Sequence, residues 1–192
     1  MLISRDHERL INAMIFFAGE TRLDTRAKLY HLLYMLDFEH FRSTGQSVTG
    51  CEYEAERRGP VPVQVAQAWD DPTNAFHAAA NTALAIGRRH RIPDTEARTR
   101  FDDSHFTRRQ LDMLRALVQR FRDAHHPDLE EIGQVDNGAF ARVWHDGIGA
   151  RAPIPYELAI SGEDPHADKV RMSARRAHAL GEISHRPRRE RA

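Results

Sequence analysis

The stretch LYHLLYMLDFEHFRSTGQSVTGCEYEAERRGPVP, residues 29–62, changes periodicity twice. Its first part belongs to a helix that spans 24–44. Asp24 or Thr25 can cap the start, and Gly45 stands where a left-handed C′ residue belongs. Leu29, Leu32, Leu33 and Leu36 form one apolar stripe, and Tyr30, Tyr34, Asp37 and Phe41 form a second. A helix apolar over so much of its circumference sits at the centre of its domain. Asp37 shares the second stripe, so it is expected to be at least partly buried. A buried carboxylate needs a cation or several donors. Arg57, Arg58, His40 or the backbone N–H groups of the Gly59 loop are the expected partners. In that role Asp37 would pin a loop to the core helix.

Beyond Gly45 the character shifts. Val48 to Ala55 is rich in strand formers and reads as a short strand or hairpin arm. Gly59-Pro60-Val61-Pro62 reads as a stiff loop, because each proline lacks a donor and extends the residue before it. Pro62 then opens a short helix that ends near Trp69.

Helix signals flank this stretch. Residues 4–18 read as a helix capped by Ser4 and stopped by Gly19. The alanine-rich 75–86 reads as helical, and 88–101 as a loop or weak hairpin. Thr107 with Gln110 forms a capping box, and Phe106 with Leu111 its hydrophobic staple. Two short helices, 128–134 and 138–146, follow, with Phe140 and Trp144 one turn apart. Residues 165–182 read as an exposed helix, and the final HRPRRERA as a disordered end. The expected fold is mainly α (α+β), a compact bundle of about six helices around helix 24–44, with one or two short β-hairpins. The expected domain spans 1–160, and an arginine-rich extension spans 161–192.

Composition narrows the function classes. Of 192 residues, 41% are hydrophobic, and 28 Lys/Arg balance 28 Asp/Glu. Zero net charge argues against a strongly basic nucleic-acid binder and against an acidic disordered chain. Lysine occurs only at Lys28 and Lys169, so 26 of the 28 cations are arginine. The extension 161–192 carries eight Lys/Arg against five Asp/Glu, a net of +3, which leaves 20 against 23, or −3, in residues 1–160. The single Cys51 excludes an intrachain disulfide and a cysteine-based zinc site, and fits a reducing cytoplasm. No apolar run approaches the ~20 residues of a membrane span. Charges interrupt the first ten residues, so no signal peptide is read there.

The motifs that carry chemistry are absent. The 12 histidines are scattered, with no HExxH and no Cys/His pairing, so no metal site and no cofactor is expected. There is no G-x-S-x-G elbow and no phosphate-cradling glycine loop. Arginine clusters at 88–91 and 186–191 could meet nucleic acid or an acidic protein, but no aromatic residues interleave with the second.

These segments resemble the Panacea domain, also called the SocA-like antitoxin domain. The carriers are Leu32, Leu33, Tyr34, Asp37 and His40; Gly45, Thr49 and Gly50; and Gly59, Pro60, Val61 and Pro62. Pro153 to Leu158, with Pro155 and Tyr156, is similar to the family's closing segment, Phe140 belongs to the segment that resembles the one before the family's last core helix, and Trp144 is taken with it as a family-motif residue. The resemblance covers roughly residues 7–160. His31 stands where a lysine commonly precedes the motif, and Asp136 and Phe140 replace a motif histidine and its aromatic. The resemblance implies a bacterial or phage-encoded cytoplasmic antitoxin that neutralises a cognate protein toxin by direct contact and has no catalytic residue. The toxin face is expected within 70–104 or the tail. Other partners consistent with the resemblance are a protease and the protein's own promoter DNA. A small hydrolase would have to use Asp37 and His40, with Arg58 beside them.

Overall fold

A computed structural model describes residues 5–23, 25–88, 101–124, 138–162 and 164–184, without the side chains of residues 87, 88, 178 and 180–184. The expected cap Ser4, the helix 128–134, residues 89–100, Asp136 and the tail arginines lie outside the described residues. The described residues form seven α-helices and one two-stranded antiparallel sheet. The helices are α1 (Arg5–Glu20), α2 (Arg26–Thr44), α3 (Val63–Ala68), α4 (His77–Arg88), α5 (Arg108–Phe121), α6 (Gly138–Trp144) and α7 (Ala167–Ser184). The strands are β1 (Tyr53–Glu56) and β2 (Gly59–Pro62). The fold is mainly α with one small hairpin.

Helix α2 lies at the centre and touches α1, α5, α7 and β2. The first stripe, Leu29, Leu32, Leu33 and Leu36, is buried, and of the second Tyr34, Asp37 and Phe41 are buried while Tyr30 is partly exposed. Its ends follow from the sequence. The Thr25 side chain accepts the Lys28 N–H, and Gly45 at φ 77° donates its N–H to the Phe41 carbonyl. A Cβ on Gly45 would lie 2.5 Å from the Val170 carbonyl oxygen, so α7 crosses directly over the end of α2. Phe41, Ile160, Ala167 and Val170 form a small second core there. The C-terminal helix, expected to be exposed, therefore docks by its first turns, since an Ala and a Val three residues apart suffice for a short apolar contact.

Elsewhere the boundaries shift by identifiable causes. Gly19 does not stop α1, which runs on to Glu20 with Gly19 buried. Pro62 is the cap of α3 and not its first residue, because its ψ of 111° still belongs to the strand. Capping box Thr107–Gln110 forms at α5 as expected, with Gln110 returning its side chain to the Thr107 N–H at 2.8 Å. Strand β1 starts only at Tyr53, since the N–H groups of Val48 and Thr49 are used elsewhere.

The hairpin turns through Arg57 and Arg58, with Gly59 at φ 119° taking the left-handed conformation. A Cβ at Gly59 would overlap the ring of His31, so the hairpin sits flush on α2. On its other edge β1 pairs with residues 151–154: Ala55 N–H meets the Ala152 carbonyl at 2.9 Å, and Ile154 N–H meets that of Tyr53 at 2.7 Å. The edges carry prolines. Val63 N–H donates to Glu52, so by antiparallel alternation Val61 and Gly59 face β1, while Pro60 and Pro62 fall where N–H groups would point outward. On the far edge Pro153 has no donor, and Ala152 N–H is taken by Gly149 at 3.0 Å.

One of the two lysines has a structural post. Lys28 is buried, and its Nζ donates to the carbonyls of Arg122 (3.2 Å) and Ala124 (2.8 Å) just past the end of α5. An ammonium there satisfies carbonyls that the helix leaves open and complements the negative end of its dipole. Lys28→Met keeps the stem and removes the donors. It should lower stability by about 1–3 kcal/mol, read as a lower urea midpoint with an unchanged slope.

Candidate functional site

The sequence elements meet at Asp37, which is 0% exposed. Its Oδ1 accepts the backbone N–H groups of Val48 and Thr49, both at 2.7 Å. Its Oδ2 accepts the hydroxyls of Thr49 at 2.5 Å and Tyr53 at 2.8 Å, with that of Tyr156 more distant at 3.4 Å. Tyr156 spends its stronger bond on the Cys51 carbonyl, at 2.5 Å. The expectation that Asp37 pins a loop to the core helix therefore matches the geometry, but the partners differ. The loop is 47–51 and not the Gly59 loop, and none of these donors is a cation. Arg57 and Arg58 are exposed on the hairpin turn. The tight turn after Gly45 brings two successive N–H groups within reach of a side chain eleven and twelve residues earlier, and arginine on a two-residue hairpin turn cannot fold back that far.

Burial pushes the Asp37 carboxyl up from its ordinary value, and the hydrogen bonds from Thr49, Tyr53 and Val48 oppose that shift. The same burial, with the Asp37 charge beside them, raises the phenols of Tyr53 and Tyr156 and the thiol of Cys51. All three stay protonated at neutral pH, so Cys51 is a poor nucleophile there.

His40 does not turn toward Asp37. Its Nδ1 lies 2.7 Å from the Gln46 carbonyl, so the ring donates to the loop that leaves α2. Burial lowers its pKa. The hydrolase reading paired Asp37 with His40; here each is engaged by a different part of the 46–49 loop. Among the described residues no three His, Cys, Asp or Glu side chains converge as a metal would require.

The remaining motif residues fall into place around this anchor. Leu33 is core. The Tyr34 phenol accepts the Phe140 N–H at 3.1 Å and so holds the first turn of α6. Phe140 and Trp144 stack in parallel, centroids 6.2 Å apart at 8°. Gly50, at φ 69°, closes the anchored turn against Asp6. Pro60, Val61, Tyr30, Arg26 and Arg58 line a groove of about 300 Å³ on one side of the hairpin. Pro153, Pro155 and Tyr156 line a second, of about 370 Å³, rimmed by Glu52, Glu54 and Glu157. One flank of the hairpin thus carries Arg26 and Arg58 with Glu56, a small positive excess, and the other carries three carboxylates. Sequence reading missed Tyr53 and Lys28 as site-building residues. A tyrosine alternating into a strand behind a buried aspartate was the available signal for the first, and one of only two lysines in an arginine-rich chain was the signal for the second.

Among the described residues, a mainly helical scaffold carries one hairpin, and a buried carboxylate ties the turn before that hairpin to the central helix. A sequence profile of the family described as antitoxin SocA-like, Panacea domain, matches residues 29–135, more than half of the chain. The protein belongs to that family. Searches among curated proteins and among solved structures returned no match. The matched range contains α2 from Leu29 onward, the anchored turn and the hairpin. Tyr34 and Asp37 then reach outside it, to Phe140 and Tyr156.

Two outcomes are expected. Asp37→Ala leaves two buried N–H groups and the Tyr53 hydroxyl without their acceptor, and should lower stability by roughly 3 kcal/mol or more; Asp37→Asn, which keeps one acceptor oxygen, should lose less. His40 gives a pH signature. A histidine whose folded pKa is depressed contributes stability above the unfolded value, about 6.5. That contribution is lost as pH falls from there toward the folded value. His40→Asn can still donate to Gln46 but cannot titrate, so the wild-type advantage over it should shrink between pH 7.5 and 5.5 in urea melts.

Proposed function

We propose that this protein is the antitoxin of a bacterial or phage toxin–antitoxin pair and neutralises its cognate toxin by direct protein–protein contact. The family match over 29–135 carries this reading. The geometry supports it: the buried polar groups of α2 hold neighbouring elements in place, so they preorganise a surface. A rigid surface binds with less loss of conformational freedom. The two oppositely charged grooves beside the hairpin provide polarity for orienting a partner. On this reading the protein is not an enzyme, needs no cofactor and works in the cytoplasm. Among the described residues, no helix is long and apolar enough to cross a membrane.

The test is co-expression with the product of the adjacent reading frame. The neighbour alone should arrest growth. Adding this protein should restore growth and yield a complex that co-purifies. Growth restored without any complex, or a neighbour that is harmless alone, would overturn the proposal.

A further inference from the structure

The small sheet leaves carboxylates unopposed on one side. Along β1 and the residue before it, Tyr53 and Ala55 are buried, and Glu52, Glu54 and Glu56 alternate onto the outer face. Acids two residues apart on one face repel, and a cation on the neighbouring strand is the ordinary relief. Here the residues across from Glu54 are Val61 on β2 and Pro153 on the other side, both uncharged. The chain has 28 Lys/Arg, and neither place holds one.

Glu157 adds a third carboxylate from the turn after Pro155. Glu52, Glu54 and Glu157 rim the groove of about 370 Å³, against a wall of Val63, Pro153, Pro155 and Tyr156. Among the described residues no cation lines this groove, and none of the three carboxylates is in an ion pair. The cation on the 151–154 segment, Arg151, is left-handed at φ 64° and gives its N–H to the Ala55 carbonyl, past Glu54. Behind the wall lies Asp37, 3.4 Å from the Tyr156 hydroxyl. Burial first, and then the charges of Asp37, Asp6 and Glu52, raise the neighbouring Cys51 thiol, so the charges felt at this corner are negative.

The wall is fixed before anything binds. Glu52 N–H donates to the Gln64 side chain at 3.0 Å, and Val63 N–H to the Glu52 carbonyl at 2.9 Å. The Tyr156 hydroxyl is held by the Cys51 carbonyl, and the exposed rings of Pro153 and Pro155 are stiff. A rigid apolar wall under a carboxylate rim matches one chemistry, a cationic head on a long aliphatic stem. Arginine matches it better than lysine, because its fork meets carboxylates in bidentate geometry and is more weakly hydrated.

We infer that this groove receives an arginine-bearing segment of the toxin, the stem lying on Pro153, Pro155 and Tyr156 and the guanidinium among Glu52, Glu54 and Glu157. Unopposed carboxylates also speed encounter with a basic partner, and salt screens that gain. The surface lies outside both 70–104 and 161–192, the segments that the sequence singled out. The inference rests on the antitoxin reading and names the face and the chemistry of that contact.

Binding of the purified adjacent-frame product to the full chain, at low and at high salt, tests it. The test variant combines Glu52→Gln, Glu54→Gln and Glu157→Gln, which keep shape and remove charge. The control combines Asp112→Asn and Asp168→Asn, exposed acids on α5 and α7. The triple variant should bind roughly ten- to a hundredfold more weakly at low salt, with a smaller difference at high salt. The control should stay within about twofold of wild type, and the triple variant should melt no lower than wild type. Wild-type affinity in the triple variant would overturn the inference and leave the antitoxin reading standing. An equal loss in the control would also overturn it, since net charge alone would then carry the effect. Failure of the wild type itself to bind would remove that reading and the inference with it. Two further results, each with toxin affinity unchanged in the triple variant, would overturn it by naming another occupant. A wild-type dimer that the triple variant dissociates would make that occupant a second copy. A lower melting temperature in the triple variant, reproduced by replacing Arg186, Arg188, Arg189 and Arg191 with Gln, would make it the chain's own C-terminal arginines.

Discussion

The Asp37 carboxylate is the point on which the rest of the structure depends. Four close donors from two segments converge on it, and a fifth group, the Tyr156 hydroxyl, stands behind them. Desolvating a charge is costly, and in a core that cost is offset only when the geometry satisfies its lone pairs. The consequence is specificity of arrangement. Apolar contacts would tolerate several placements of the 47–51 turn against α2, whereas the carboxylate accepts one. The turn then sets where β1 begins, and β1 sets the hairpin and the 151–154 strand beside it.

The same logic extends along α2. Lys28 closes the end of α5, Tyr34 opens α6, and His40 holds the chain leaving α2. Each of these three residues, like Asp37, engages a backbone group outside α2. Helix ends and turns are where unsatisfied backbone groups concentrate, and here they are gathered around one helix. That is why a helix with so many polar atoms can be almost wholly buried. At Lys28 a compact ammonium lies between two carbonyls.

Much of this was legible beforehand, for physical reasons. The caps of α2 and α5 are local, written in Thr25, Gly45, Thr107 and Gln110, and local rules read them. The burial of Asp37 followed from its stripe. Its partners did not follow, because they depend on how the chain folds back after Gly45, which no periodicity encodes. The docking of α7 was hidden for a different reason: two small apolar residues, Ala167 and Val170, make a weak pattern, and the decisive partner is a glycine 125 residues away. Of the left-handed residues, Arg151 carries no sequence signal, whereas His145 and Asp146 are of types that enter this conformation more readily than most and mark it only weakly.

The prolines of the small sheet have a consequence for how any partner can be met. Pro60 and Pro62 on one edge and Pro153 on the other leave no free donors for an added strand. Open sheet edges invite pairing between chains, both productive, as in complexes built by strand addition, and unproductive, as in fibrils. This sheet is closed to both. Crowded copies of the protein lack that route to aggregation, and a partner cannot be held through backbone ladders that any sequence supplies. Whatever binds around the hairpin must be read through side chains, so a few surface substitutions can redirect the choice of partner while the interior stays as it is.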